Sequence, residues 1–88
     1  MRDALLVVSV VVNVDAMTAD ALAKKLGPKL RKARQRNPGL TQERAALLAG
    51  ISRPDLNAME QGHRIPRLHQ LAALGKVYGT RPGELFAA

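Results

Sequence analysis

The spacing of small and apolar residues between positions 42 and 61 constrains this chain more than any other feature. Ala46 and Gly50 lie four residues apart, and Leu56 and Met59 follow three residues apart. A small residue in one helix lets a second helix approach closely, and a glycine between them can adopt positive φ. Leu56 and Met59 would form one buried stripe. The spacing therefore predicts two short helices that cross at a tight turn.

Capping residues bound both predicted helices. Thr41 precedes the first and Ser52 precedes the second, where Asp55 completes a capping box. Pro54 falls in the first turn, where its missing N–H is harmless, and Gly62 closes the helix as a left-handed residue. An ordinary helical hairpin with small residues that only ease packing is the alternative. Because spacing, turn and caps agree, we favour a helix-turn-helix.

The composition limits the class of protein. At 88 residues the chain has a core too modest for a buried catalytic cleft and its supporting shells, so an enzyme is disfavoured. It contains no cysteine, which excludes disulfides and thiolate metal sites, and a reducing cytoplasm is compatible with this. The histidines, His63 and His69, have no neighbouring carboxylate cluster, so we predict neither a metal nor any other cofactor.

The net charge of +7 is unevenly distributed. Residues 1–23 hold one arginine against three aspartates, so the positive excess lies in residues 24–88. Such a field attracts polyanions, among which nucleic acid is the commonest partner of a small domain, although a ribosomal or membrane-surface role would give the same charge. With only Tyr78 and Phe86 as aromatics, the chain offers no stacking platform for single strands.

An apolar run at residues 5–14 is rich in β-branched valine and reads as a strand. Since no other segment has strand character, we expect residues 1–16 to pair with a second copy in a homodimer. The alternatives are a disordered or spurious extension, with Met17 as the true start, or a helix or targeting segment. The run is too short to span a membrane. The dimerisation residues all share one face of the strand: Leu6, Val8, Val10, Val12 and Val14.

Helical spacing organises the rest of the chain into five short helices around one core. The first begins after Thr18 and contains Pro28, which predicts a kink or two abutting helices. After the central pair, a fourth helix begins at Arg67 and ends at Gly79, and Thr80 caps a fifth. We expect these last two helices to turn the following residues inward: Leu68, Leu71, Ala72, Gly75, Tyr78, Leu85 and Phe86.

Four segments in order carry a family resemblance. They are LGPKLRKAR, GLTQERAALLAGIS, AMEQGHRIP and LHQLAALGKVYGTRPGELF, between Leu26 and Phe86. Together they resemble the phage repressor/Cro-like helix-turn-helix family, also called the xenobiotic-response-element family. The departures are an extra residue in the loop before Leu40, Ala45 in place of a larger aliphatic residue, and the segment before Met17. The resemblance implies an all-α, lambda-repressor-like domain at residues 17–88, preceded by the N-terminal strand.

The resemblance also implies roles for individual residues. Gln42 would contact a DNA phosphate with the backbone N–H groups beside it, and Glu60 would pair with Arg34, holding the first helix against the second helix of the pair. Further candidates for phosphate contact lie within or beside the predicted helix pair. The whole set is Thr41, Gln42, Arg44, Ser52, His63, Arg64 and Arg67.

The second helix of the pair can lie in the major groove with its N-terminal residues against base edges. Arg53 can donate twice to guanine, although an arginine that only neutralises phosphates is the alternative. Asn57 can pair with adenine N6 and N7 or hold a phosphate, and the ring of Pro54 can contact a thymine methyl. The base-reading set is Arg53, Pro54, Asn57 and Ala58.

These features favour a cytoplasmic, sequence-specific regulator of double-stranded DNA, acting as a homodimeric repressor at an operator. The alternative is an antitoxin whose apolar N-terminus docks a toxin. The dimer interface would be the valine-rich strand or the last helix with Leu85 and Phe86. An enzyme has little support, since Asp55, Glu60 and the two histidines lie at caps and helix ends without an assembled nucleophile and base.

Overall fold

A computed structural model describes residues 18–86, apart from the side chains of Pro82 and Phe86. Within this range the fold is entirely helical, as the sequence predicts. The elements are α1 (Ala19–Gln35), α2 (Gln42–Ala49), α3 (Arg53–Glu60), α4 (Leu68–Tyr78) and a 3-10 helix at Pro82–Phe86. The fifth expected helix is this short 3-10 turn rather than an α-helix. The expected strand, with Leu6, Val8, Val10, Val12 and Val14, lies outside the described residues.

Helix α1 is one element of 17 residues that continues through Pro28. Of the two predicted alternatives, a kink or two abutting helices, the second is therefore wrong. Thr18 caps the helix as predicted, because its hydroxyl accepts a hydrogen bond from the Ala21 N–H at 3.1 Å. Leu26 and Leu30 are buried on its inner face, and α1 packs against α3 and the 3-10 helix.

The turn between α2 and α3 follows the predicted pattern. Gly50 ends α2 at φ +69°, a left-handed conformation that costs glycine no Cβ clash. Ser52 then caps α3, its hydroxyl accepting from the Asp55 N–H at 3.2 Å. Ala46 lies buried in α2, and Leu56 and Met59 are wholly buried in α3. The two helices therefore meet through the residues that the spacing singles out.

Gly27 permits a close approach between α1 and α3. A Cβ at this position would lie 2.6 Å from the carbonyl oxygen of Glu60 and 2.8 Å from the backbone nitrogen of Gly62. Both are backbone atoms, so no side-chain movement could make room. The glycine therefore brings the middle of α1 directly against the C-terminal end of α3.

The inward face of α4 differs from the prediction. Arg67 is the residue before the helix, and its N–H donates to the Gln70 side-chain oxygen at 2.9 Å. Leu71, Gly75 and Tyr78 face the core as expected, and Leu74 joins them. Leu68 is 82% exposed and Ala72 is also exposed, so their predicted burial is wrong. Leu85 of the 3-10 helix is buried, while the side chain of Phe86 is outside the described set.

Candidate nucleic-acid interface

The two ends of α3 have opposite environments. Ser52, Arg53 and Pro54 at its beginning are exposed, whereas Met59 and Glu60 at its end are buried. Asn57 and Ala58, in the second turn, are half-buried. The structure thus holds the helix by its C-terminal end and leaves the predicted base-reading residues Arg53, Pro54, Asn57 and Ala58 at or near the surface.

An ion pair fastens the buried end of α3 to α1. Arg34 Nε donates to Glu60 Oε2 at 2.8 Å and Arg34 Nη2 donates to Glu60 Oε1 at 3.0 Å, so the pair is bidentate. Arg34 Nη1 also donates to the carbonyl of Leu40 at 3.0 Å. The hydrogen bond to Glu60 raises the pKa of Arg34 above its ordinary value, although burial acts in the opposite sense. The structure brings together the two residues that the family resemblance pairs.

Side-chain amides continue from this ion pair toward the surface. Gln42 Nε2 lies 3.3 Å from Glu60 Oε1 and 3.1 Å from Asn57 Oδ1. Gln61 Nε2 donates to the same Asn57 oxygen at 3.2 Å. The side chain of Gln42, predicted as a phosphate contact, therefore bridges α2 and α3. The sequence prediction omitted Gln61, although its position four residues after Asn57 in a helix is typical of interacting side chains.

The exposed end of α3 carries a different ion pair. Arg64, in the loop after the helix, donates through Nη1 to Asp55 Oδ1 at 2.6 Å, and both side chains are 39% exposed. The sequence predicts that Asp55 completes a capping box with Ser52. The Ser52 half of that motif is present, whereas the carboxylate of Asp55 instead accepts from Arg64. Arg64, predicted as a phosphate contact, is thus partly occupied within the protein.

Arg53 shares a shallow concave surface with three neighbours. Arg53, Pro54 and Asn57 of α3 line it together with Gln42 of α2. Arg53 and Asn57 are four residues apart, so they lie on one face of the helix. A cation and an amide placed side by side can donate hydrogen bonds to an anionic or acceptor-rich ligand.

The remaining candidates for phosphate contact are mostly exposed. The hydroxyl of Thr41 accepts from the Arg44 N–H at 3.1 Å, which caps α2 and leaves the Arg44 side chain at the surface. Ser52 is likewise occupied as a cap and exposed. His63 and Arg67 are exposed in the segment after α3.

Two features are absent from residues 18–86: a cluster of metal-binding side chains and a helix able to span a membrane. In that range no group of three or more histidines, cysteines or carboxylates is placed to hold a metal ion, and His63 and His69 are exposed. None of the helices described there is long and apolar enough to cross a membrane.

Comparison with known proteins identifies the part of the chain that carries this surface. A family model described as a helix-turn-helix domain matches residues 25–88, well over half of the chain. The matched segment contains the α2–α3 pair, the Arg34–Glu60 ion pair and every exposed residue singled out above. No curated protein matches the chain.

Proposed function

Because the chain belongs to the helix-turn-helix domain family, we propose that it is a sequence-specific regulator that binds double-stranded DNA. The observation that carries the proposal is the asymmetry of α3, which is buried at Glu60 and exposed at Arg53. A recognition helix needs this arrangement, since its leading residues must reach base edges while its far end fixes its angle on the domain. We further assign the chain to the phage repressor/Cro-like type, acting in the cytoplasm.

In this proposal α3 lies in the major groove. Arg53 donates twice to guanine O6 and N7, the commonest specific contact of that kind. Pro54 and Ala58 offer apolar surface to a thymine methyl, and Asn57 supplies a polar contact one turn later. The flanking residues hold the phosphates: Thr41, Gln42, Arg44, Ser52, His63, Arg64 and Arg67.

A homodimer completes the mechanism. A two-fold dimer reads two half-sites about 34 Å apart, one turn of DNA, whereas one helix in one groove binds weakly. The apolar run at residues 5–14 supports dimerisation through the N-terminal segment, by the face bearing Leu6, Val8, Val10, Val12 and Val14. Bound at an operator, such a dimer represses by occupancy.

An antitoxin is the second candidate. The same apolar run of the sequence favours it, because a segment that pairs with another copy can equally dock a toxin. Co-purification of a second polypeptide with the full chain would support this reading, and a clean homodimer by light scattering would support the repressor.

Selection from a random duplex library tests the proposed function. We expect the full chain to enrich one site, and Arg53→Ala to weaken binding by about 1–3 kcal/mol and relax the preference at one base pair. Arg81→Ala is the matched control, since it removes the same charge from an exposed position beyond α4. Enrichment of no sequence, or an equal effect of the two substitutions, would overturn the proposal.

Deletion of residues 1–16 tests the dimer. If the N-terminal segment forms the interface, the truncated chain is monomeric by light scattering, keeps its helical circular dichroism and loses operator affinity. If the C-terminal residues form it, the deletion leaves both dimer and affinity intact.

A further inference from the structure

One ion pair determines how the side-chain amides of Gln42 and Asn57, which connect α2 to α3, are oriented. Arg34 donates to both carboxylate oxygens of Glu60. A carboxylate held by a guanidinium is ionised and can only accept hydrogen bonds. Gln42 lies 3.3 Å from Glu60 Oε1, so the group that it turns toward Glu60 must be its NH₂ group and not its carbonyl oxygen.

The orientation of the Gln42 amide in turn determines that of the Asn57 amide. The same Gln42 nitrogen lies 3.1 Å from the Asn57 side chain, and a second N–H requires an acceptor there. Asn57 therefore turns Oδ1 toward Gln42, and Gln61 Nε2 donates to the same oxygen at 3.2 Å. Within residues 18–86, no acceptor takes a hydrogen bond from Asn57 Nδ2. The NH₂ group of Asn57 is thus the part of the amide left for a ligand.

We propose that Asn57 determines specificity by presenting donors only, and that it reads a base edge made of acceptors: guanine O6 and N7, or thymine O4. The inference rests on the proposed function and specifies the base that the site takes. It departs from the sequence prediction of an adenine contact. Adenine needs an acceptor for N6 and a donor for N7, and the acceptor of Asn57 is already occupied twice.

Reversal of the amide would be costly. Turning Asn57 over would place its NH₂ group against the NH₂ group of Gln42, which breaks that hydrogen bond and opposes donor to donor, whereas the exposed Gln61 can turn its own amide to match. Gln42 cannot compensate by turning as well, because its oxygen would then face the carboxylate of Glu60. The charge of Arg34 therefore determines, through Glu60 and Gln42, which end of Asn57 meets DNA.

Site selection with the full chain and with Asn57→Ala tests the inference. The base pair at which Asn57→Ala loses its preference is the one that Asn57 contacts. We expect guanine or thymine there, preferred over adenine roughly tenfold. Where guanine is selected, 7-deazaguanine at that position should weaken binding because it removes the N7 acceptor; where thymine is selected, uracil should bind equally because O4 remains.

Gln42→Met tests the cause of the preference. Without the Gln42 donor, Asn57 is free to reverse, so we expect adenine to be accepted about as well as guanine or thymine at the contacted position. Gln35→Met, an exposed glutamine at the end of α1, is the matched control and should leave the preference unchanged. Both N–H groups of the Gln42 amide are taken by Glu60 and Asn57, so a phosphate contact at this position uses the backbone N–H, which Gln42→Met keeps. A general loss of affinity would affect all sequences alike and would not alter this ratio. Thermal melting of each variant checks that it is folded.

The outcomes separate this inference from the proposed function. If the full chain enriches a site with adenine at the Asn57 position, or if Gln42→Met keeps the original preference, the inference is wrong and the DNA-binding function stands. A uniform loss of affinity in Asn57→Ala, without change of preference, also overturns it, because Asn57 would then hold a phosphate. If no sequence is enriched at all, both the function and the inference fail.

Discussion

The two ends of α3 show how one helix of eight residues serves two purposes. At its C-terminal end, Glu60 is held by Arg34 with side-chain exposures of 2% and 15%. At its N-terminal end, Asp55 is held by Arg64 with both side chains 39% exposed. The buried pair has little competition from water, whereas the exposed pair is screened by water and salt. The difference teaches that the helix is oriented from its C-terminal end and left adaptable at the N-terminal end, where we propose that it meets DNA.

Removal of the buried carboxylate should have the largest effect. Glu60→Ala leaves the Arg34 guanidinium without its partner in a largely dry site, and we expect the free energy of unfolding to fall by about 3–5 kcal/mol. Denaturant unfolding measures this change. Glu84→Ala, at an exposed carboxylate of the 3-10 helix, should cost far less. An unchanged denaturation midpoint for Glu60→Ala would show that the buried end does not depend on this pair.

A methyl group at Gly27 should loosen the same end by crowding alone. Its Cβ would meet backbone atoms of Glu60, Gly62 and Met59 within 3 Å, so α1 and α3 must separate. We expect Gly27→Ala to destabilise the protein by about 1–3 kcal/mol in calorimetry. Gly83→Ala is the control, since a Cβ there has no atom within 4 Å. Equal melting temperatures for the two variants would contradict the close approach.

The hydroxyl of Tyr78 tests how well water is excluded from the core near the buried Arg34–Glu60 pair. It is buried without a hydrogen-bond partner in the described part of the chain. Burial, reinforced by the charge of Glu60 and opposed by Arg34, raises the pKa of Tyr78 above its usual 10.0. Tyr78→Phe removes an unsatisfied group, so we expect a gain of up to about 1 kcal/mol in chemical denaturation at neutral pH.

The pH dependence of the same variant follows from that shift. Above pH 10 the unfolded tyrosine loses its proton while folded Tyr78 retains it, so the folded state is increasingly disfavoured as pH rises. The stability of the unsubstituted protein should therefore fall more steeply above pH 10 than that of Tyr78→Phe. Parallel curves for the two proteins would mean that Tyr78 reaches solvent.

The exposed pair should give the smallest effect. A double-mutant cycle with Asp55→Ala and Arg64→Ala should yield a coupling of about 0.2–1 kcal/mol that weakens as salt increases. Urea unfolding at low and high ionic strength measures it. A coupling as large as that of Arg34 with Glu60, or one insensitive to salt, would remove the contrast between the two ends.

The features predicted correctly from the sequence are mostly local. Thr18, Thr41 and Ser52 each cap a helix because a hydroxyl reaches an N–H three residues later, whatever the rest of the fold does. Gly50 and Gly62 adopt the positive φ that the turn positions require. These interactions close within a few residues, so a linear pattern suffices to find them.

The incorrect predictions concern residues whose burial or bonding partner depends on elements distant in the sequence. The face that α4 buries depends on where α2 contacts it, and spacing alone placed Leu68 and Ala72 inward and omitted Leu74. The Ser52 N–H is the hydrogen-bond donor nearest in sequence that a capping box would give to the Asp55 carboxylate. That carboxylate instead accepts from Arg64, in the loop after α3. The need for glycine at position 27 becomes evident only when the backbone of α3 is placed beside it.

The sequence by itself determined that a capped pair of helices with a tight turn would form and that the helical part would be basic, because these properties depend on residue type and short spacing. Tertiary structure alone decided that Gln42, Asn57 and Gln61 extend the Arg34–Glu60 ion pair, which the family resemblance implied, into one hydrogen-bonded chain. These residues come from three helices and the residue after α3, and the direction of each amide depends on a charge on another helix. A linear pattern contains the donors and acceptors, whereas only the packed fold determines which of them remain for DNA.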